Sequence, residues 1–178
     1  MKIGIFLGSI RKGRAGEAVA RWVSDAAEKR DGFEYELLDL SEFNVPLLDA
    51  EMVPGAANRQ YGDEATTAWS KAVDACDAFI FITPEYNHSV PGAMKNAFDV
   101  LGAEWAGKPV AFVSYGADNG LRAVEHWRQI VANFSMFGVR NQVALSLFED
   151  FADGAFAPRE QKNQSLENVL NDLEQALS

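Results

Sequence analysis

Short apolar runs alternate along this chain with longer segments in which apolar residues recur every three or four positions. Residues 2–7 (KIGIFL), 33–39 (FEYELLD), 78–83 (AFIFIT), 110–115 (VAFVSY) and 143–148 (VALSLF) are rich in branched and aromatic side chains and are expected to be strands. The runs at 2–7, 78–83 and 110–115 lack polar alternation, as strands covered on both faces of a parallel sheet do. Between the runs, Ala15, Val19, Trp22, Val23 and Ala26 share one helical face. So do Trp69, Ala72, Val73 and Cys76, then Leu121, Val124, Trp127, Val131 and Phe134, and finally Leu166, Val169, Leu170, Leu173 and Leu177. Five strands alternating with helices predict an α/β fold: a doubly wound, open parallel sheet with right-handed crossovers and helices on both faces.

The segment from about 41 to 63 (SEFNVPLLDAEMVPGAANRQYGD) breaks this rhythm, with Pro46, Pro54, Gly55 and no clear period. Loops longer than roughly 12–15 residues in a compact domain are usually binding elements or disordered. Leu47, Leu48, Met52 and Val53 are too apolar for a free linker, so the loop is expected to pack over a site or a partner subunit.

Composition narrows the function classes. With 178 residues, 48% of them hydrophobic, the chain fits one domain over 1–178. A formal net charge of −10 argues against general affinity for nucleic acid or anionic membrane, since phosphate backbones call for basic patches. Cys76 is the only cysteine, which excludes an intrachain disulfide, CxxC redox chemistry and cysteine-rich metal sites. The opening MKIGIFLGS carries one lysine and an apolar run too short for a signal peptide, so a cytoplasmic protein is expected.

Against that acidic background, the loop after the first strand is locally basic. It reads Gly8-Ser9-Ile10-Arg11-Lys12-Gly13-Arg14-Ala15-Gly16 and leads into a helix. In an open α/β sheet, ligands sit beyond the carboxyl ends of the strands, and a helix start there offers free N–H groups and a positive dipole end. Arg11, Lys12 and Arg14 add cations and Ser9 a hydroxyl, a combination suited to a phosphate monoester. The spelling is neither common nucleotide loop. A Walker loop needs Ser or Thr after Gly-Lys, whereas Arg14 and Ala15 follow Gly13 here. The glycines at 8, 13 and 16 miss the Rossmann spacing, although Asp39 could mimic its ribose-binding acid.

The loop after the third strand is more specific: Pro84-Glu85-Tyr86-Asn87-His88-Ser89-Val90-Pro91-Gly92-Ala93-Met94-Lys95-Asn96-Ala97-Phe98-Asp99. It resembles the PEYN-x-S-x-PG-x-LKNA-x-D signature of the NADPH-dependent FMN reductase family, with Met94 in place of leucine. The first loop is similar to the family's GSxR segment, from which it departs at Arg14 and Gly16, where many members carry serine and asparagine. The third loop, Ser114 to Ala123, resembles S-x-G-G-x-x-G-x-R-A, with Ala117 where a second glycine would stand.

The resemblance implies a flavodoxin-like fold of five parallel strands, with FMN as cofactor and NADPH or NADH as hydride donor. It implies hydride transfer to flavin N5 and electron release to a small acceptor such as a quinone, azo compound, metal oxyanion or free flavin. It also implies a homodimer or homotetramer. Ser9, Arg11 and Arg14 would hold the phosphate; Pro84, Glu85, Tyr86, Asn87, Ser114 and Gly116 would border the ring. Asn87 offers donor and acceptor to a mixed-polarity ring edge, and Gly116 permits close approach. No catalytic acid or base and no metal ligand is assigned.

Structural roles compete at several positions. Ser89 suits an N-cap and Pro91 a first helical turn. Glu85 could be a solvated carboxylate, and Lys95, Asn96 and Asp99 would hold the helix in place. His88 reads as exposed and His126 as structural, while Trp105 reads as a packing or subunit-contact residue and Cys76 as core. Two other function classes stay open at this point: a flavodoxin-type electron carrier that does not oxidise nicotinamide itself, and a nicotinamide dehydrogenase without flavin.

Overall fold

The computed structural model describes residues 1–178. Its elements follow the order β1 (Lys2–Leu7), α1 (Gly16–Ala27), β2 (Glu34–Asp39), α2 (Leu40–Phe43), α3 (Glu64–Asp74), β3 (Ala78–Pro84), α4 (Gly92–Asp99), β4 (Pro109–Gly116), α5 (Leu121–Ala132) and β5 (Phe137–Ser146). A short hairpin, β6 (Phe151–Ala152) with β7 (Ala155–Phe156), precedes α6 (Glu160–Leu177). The five main strands are all parallel, in the order β2-β1-β3-β4-β5. That is the flavodoxin-like order, with its switch point between β1 and β3.

Side-chain alternation builds a layer on each face of the sheet. Ile3, Ile5, Ile80 and Ile82 point to one side, where they meet Val19 and Val23 of α1 and Leu166, Val169 and Leu170 of α6. Phe6, Phe79, Phe81 and Phe112 point to the other, against Trp69 of α3, Phe98 of α4 and Trp127 of α5. Every residue of β3 is buried, which accounts for its unbroken apolar spelling. Trp105 belongs to the aromatic layer, stacked on Phe98 with ring centroids 4.8 Å apart. Each buried indole finds an acceptor: Trp69 at the Ala97 carbonyl (2.7 Å), Trp105 at the Phe98 carbonyl (3.0 Å) and Trp127 at Thr83 Oγ1 (3.2 Å). Cys76 is buried in the same layer, and burial pushes its thiol pKa up to about 11.

One strand differs from expectation. The fifth runs from Phe137 to Ser146 rather than 143–148. It is an edge strand in which buried Val139, Val143 and Leu145 are interleaved with polar Arg140, Asn141 and Gln142, so its first half does not read as an apolar run. A register irregularity between Val110 and Phe112 absorbs the extra residues. Phe148, expected inside the strand, lies beyond it and is 77% exposed. The β6–β7 hairpin was not anticipated, although it turns at Asp153-Gly154, a favoured pair for two left-handed residues.

The irregular 41–63 segment folds against its own chain. Asn96 of α4 accepts from the Leu48 N–H (2.9 Å) and donates to the Pro46 carbonyl (2.8 Å). Leu47, Met52 and Val53 remain exposed, and the segment lines a cavity of about 180 Å³ together with Val100. Its far end is tied down by Glu104, fully buried, whose carboxylate accepts from Tyr61 Oη (2.6 Å), Ser70 Oγ (2.6 Å) and the Gly102 N–H (3.0 Å). No helix is long and apolar enough to cross a membrane.

Burial alone would raise the Glu104 pKa, but the Ser70 and Tyr61 hydroxyls together with the backbone N–H groups of Gly102 and Glu104 outweigh it and the net shift is downward. A carboxylate whose folded pKa lies below its unfolded one stabilises the fold above the ordinary glutamate range and loses that contribution as pH falls through the folded value. We expect Glu104→Ala to lower the unfolding free energy by about 2–4 kcal/mol at neutral pH in urea titrations. The gap between variant and parent should shrink below about pH 4; a gap independent of pH would contradict the assigned charge state.

Candidate functional site

Adjacent parallel strands deliver three loops to one edge of the sheet. The Gly8 N–H donates to the Ile82 carbonyl (3.1 Å) and the Glu85 N–H to the Tyr115 carbonyl (3.2 Å), so the chain leaves β1, β3 and β4 side by side. Gly8 leaves room for α4: a Cβ there would stand 2.0 Å from Met94 Sδ, so the Met94 side chain would have to move.

The first loop is a row of uncommitted donors. No backbone N–H from Ser9 to Gly13 donates to a protein acceptor. Arg11 and Lys12 are exposed, and neither forms an ion pair. Ser9 is buried and its Oγ lies 2.9 Å from Tyr86 Oη, which joins the first loop to the second. The Arg11 guanidinium stands 6.0 Å from the Tyr86 ring centroid, at the limit of a cation–π contact. Burial pushes the Tyr115 phenol up, against the opposing hydrogen bond from Ser9, so it stays neutral at physiological pH. Its hydroxyl would lie 2.6 Å from a Cβ at position 16. That contact explains why glycine stands at 16: Tyr115 fills the space an asparagine side chain would need.

Arg14 is placed differently from the other two cations. Its side chain is 6% exposed and fully engaged by protein, with Asp39 across a two-pronged contact, Ser9 through its carbonyl, and Glu17 at 3.1 Å. Burial works against the charged guanidinium, but the bonds and charges of Asp39 and Glu17 together outweigh it and the net shift is upward. The free positive charge of the loop therefore rests on Arg11 and Lys12.

The second loop is a two-residue hairpin. Tyr86 and Ser89 exchange both backbone hydrogen bonds (3.0 and 3.1 Å), and Asn87 and His88 at the tip have φ of 48° and 72°. Two left-handed central residues are what a type I′ turn requires. Both tip residues are exposed; their N–H groups and the Asn87 amide bond nothing in the protein, while the Tyr86 ring is half-buried beside them. Pro84 is buried as the last residue of β3.

Other expected site residues are engaged structurally. The Glu85 carboxylate, 9% exposed, accepts from the Arg122 N–H (3.1 Å) and from Arg122 Nη1 (2.6 Å), fastening the second loop to the start of α5. Ser114 is buried with Oγ donating to the Asn119 carbonyl (2.7 Å), which shapes the third loop from within. Gly116 is closely approached by protein: a Cβ there would meet the Gly120 nitrogen at 3.1 Å. Ser89 is not an N-cap. The capping position of α4 is Pro91, two residues later, and Ser89 Oγ instead lies 2.8 Å from His126 Nδ1. From sequence, Arg122 reads only as part of the third-loop spelling and His126 only as structural, because their partners are distant in the chain and only the crossover brings them together.

The donor set fits a flavin mononucleotide: free N–H groups and two unpaired cations for the phosphate, then a turn with free amide groups and a tyrosine face for a planar polar-edged ring. The comparisons agree. A family model described as NADPH-dependent FMN reductase matches residues 1–150. An NAD(P)H-dependent FMN reductase of a Nectria species is 41% identical over 126 residues, 68% of this chain and 63% of that protein, so the match spans under two thirds of that relative. A quinone reductase of Pseudomonas putida is 35% identical over 161 residues, 83% of this chain and 81% of that protein. Among solved structures, the flavoenzyme NAD(P)H:(acceptor) oxidoreductase FerB of Paracoccus denitrificans superposes with a TM-score of 0.75 at 21% identity, covering 98% of this chain and 97% of that one; the likeness is one of fold.

A non-glycine residue in the left-handed region carries a steric cost of about 1 kcal/mol. We expect His88→Gly to raise stability by roughly 0.5–1 kcal/mol, read as a higher urea midpoint at unchanged slope. A lower midpoint would show that the imidazole, not the turn, matters at the tip.

Proposed function

The chain belongs to the NADPH-dependent FMN reductase family, and on that premise we propose that the edge formed by the first and second loops holds FMN and serves a nicotinamide-dependent reduction. Ser9, Arg11 and the N–H groups through Gly13 take the phosphate, with Lys12 adding charge. Tyr86 and Asn87 border the ring, and Pro84 stiffens the turn that presents them. Glu85, Arg14, Ser114 and Gly116 act one step back, holding the three loops in place. Bound FMN supplies the redox chemistry, accepting a hydride from NADPH or NADH and releasing electrons to a small acceptor.

The protein's own part is placement and electrostatics. N–H groups already free and already oriented need no reorganisation when an anion arrives. Two uncompensated cations in a chain of net charge −10 concentrate positive potential at one spot. No side chain at this edge is assigned as a proton donor or acceptor. The observation that carries the proposal is the run of unbonded N–H groups from Ser9 to Gly13 beside exposed Arg11 and Lys12.

The quinone reductase relatives favour a quinone as acceptor. A nicotinamide donor supports a cytoplasmic setting. The exposed Leu47, Met52 and Val53 support a homodimer or homotetramer built through the 41–55 segment.

Anaerobic NADPH should bleach the protein's flavin absorbance with no second protein present; flavin that stays oxidised would favour an electron carrier. Arg11→Ala is expected to weaken FMN binding by about tenfold or more, the loss of one charge-assisted hydrogen bond, while turnover at saturating FMN changes by less than about twofold. Unchanged affinity in a fluorescence titration would remove Arg11 from the site.

A further inference from the structure

Arg14 and Asp39 together raise a question the proposed site leaves open: why a cation in a phosphate loop should be turned away from the phosphate. Arg14 Nη1 reaches both the Ser9 carbonyl and Asp39 Oδ1 (2.9 Å), and Nη2 reaches Asp39 Oδ2. Asp39 is itself fixed. It ends β2 in register with Leu7, and its Oδ1 also accepts from the Ser41 N–H (2.9 Å) and Oγ (2.8 Å) at the start of α2. Burial opposes its charge, but the bonds from Arg14 and Ser41 outweigh that and hold the carboxyl below the ordinary aspartate range.

The geometry of one peptide unit links this pair to the anion. In a planar trans peptide the C=O and the following N–H point in opposite directions. A Ser9 carbonyl drawn toward Arg14 therefore sends the Ile10 N–H the other way, and that N–H has no protein acceptor. Without the guanidinium, nothing else bonds the Ser9 carbonyl, and the peptide is free to rotate its donor out of line. The charges agree. Asp39 balances Arg14, leaving Arg11 and Lys12 to face a monoester that carries close to two negative charges at neutral pH.

We propose that Asp39, acting through Arg14, is a positioning residue for the phosphate of the flavin: the pair fixes the Ser9–Ile10 peptide with its N–H turned toward the anion, and neither side chain touches the ligand. This rests on the assignment of the first loop to FMN phosphate.

The test compares FMN with riboflavin, which lacks the phosphate, in fluorescence titrations of the parent and Asp39→Asn. Removing a negative charge near an anion site would by simple electrostatics tighten FMN. Positioning demands the reverse: FMN about tenfold weaker, riboflavin within about twofold of the parent. An unchanged FMN-to-riboflavin ratio, or tighter FMN, overturns the proposal, the second result making Arg14 a direct ligand that Asp39 restrains. Arg14→Lys covers the case in which Asp39→Asn does not fold. It keeps the charge but cannot bridge the Ser9 carbonyl and both carboxylate oxygens, so the same selective loss is expected, and a parental ratio would overturn the proposal. A parent protein that prefers riboflavin, or binds neither flavin, would instead remove the phosphate assignment itself.

Discussion

Strand β3 has no solvent-facing side, and that constraint organises the molecule. A parallel strand buried on both faces can carry only apolar or self-satisfied side chains along its length. Polar chemistry is thereby driven to the strand's carboxyl end, where the chain turns out of the sheet. Because β1 and β4 flank β3 in register, their exits lie beside its own. Residues as far apart as Ser9 and Tyr86 meet within hydrogen-bonding distance because the sheet leaves them nowhere else to go.

The edge divides its labour by polarity. The first loop keeps its N–H groups from Ser9 to Gly13 and two of its three cations free. The second and third loops engage most of theirs internally, through Glu85 with Arg122, Ser89 with His126, and Ser114 with the Asn119 carbonyl. The contrast follows from charge. Under the proposed assignment, a loop that is to meet an anion leaves its own N–H groups unsatisfied, whereas loops that are to border a planar ring need stiffness more than charge. The acidic remainder of the chain sharpens the contrast, since the two free cations stand in a molecule of net charge −10.

Most of the fold was legible in the sequence because the doubly buried strands spell themselves: residues 2–7 were bounded as observed, and the boundaries at 78 and 110 fell within one residue of the structure. The edge strand β5 was displaced because it has one wet side and an irregular register, so its apolar signal is diluted by Arg140 and Asn141. The site was legible as a location more than as a set of bonds. Ser9, Arg11, Tyr86 and Asn87 stand where ligand groups would be expected, while Arg14, Glu85 and Ser114 are engaged by protein. Arg14 and Glu85 are engaged by partners far along the chain, Asp39 for one and Arg122 for the other, and no local spelling announces such a partner. Gly16 is the converse case: its reason is a tyrosine nearly a hundred positions later.

The aromatic layer on one face of the sheet carries a final implication through its lone thiol. A thiol shielded by Phe79 and Leu38 and held protonated across the physiological range offers no nucleophile to electrophiles arriving from solvent. Alkylation of Cys76 then requires that layer to open, so the rate of thiol labelling becomes a built-in clock for cooperative unfolding of the sheet, readable without introducing any probe. The same seclusion keeps the thiol from covalent attack for as long as the sheet stays closed.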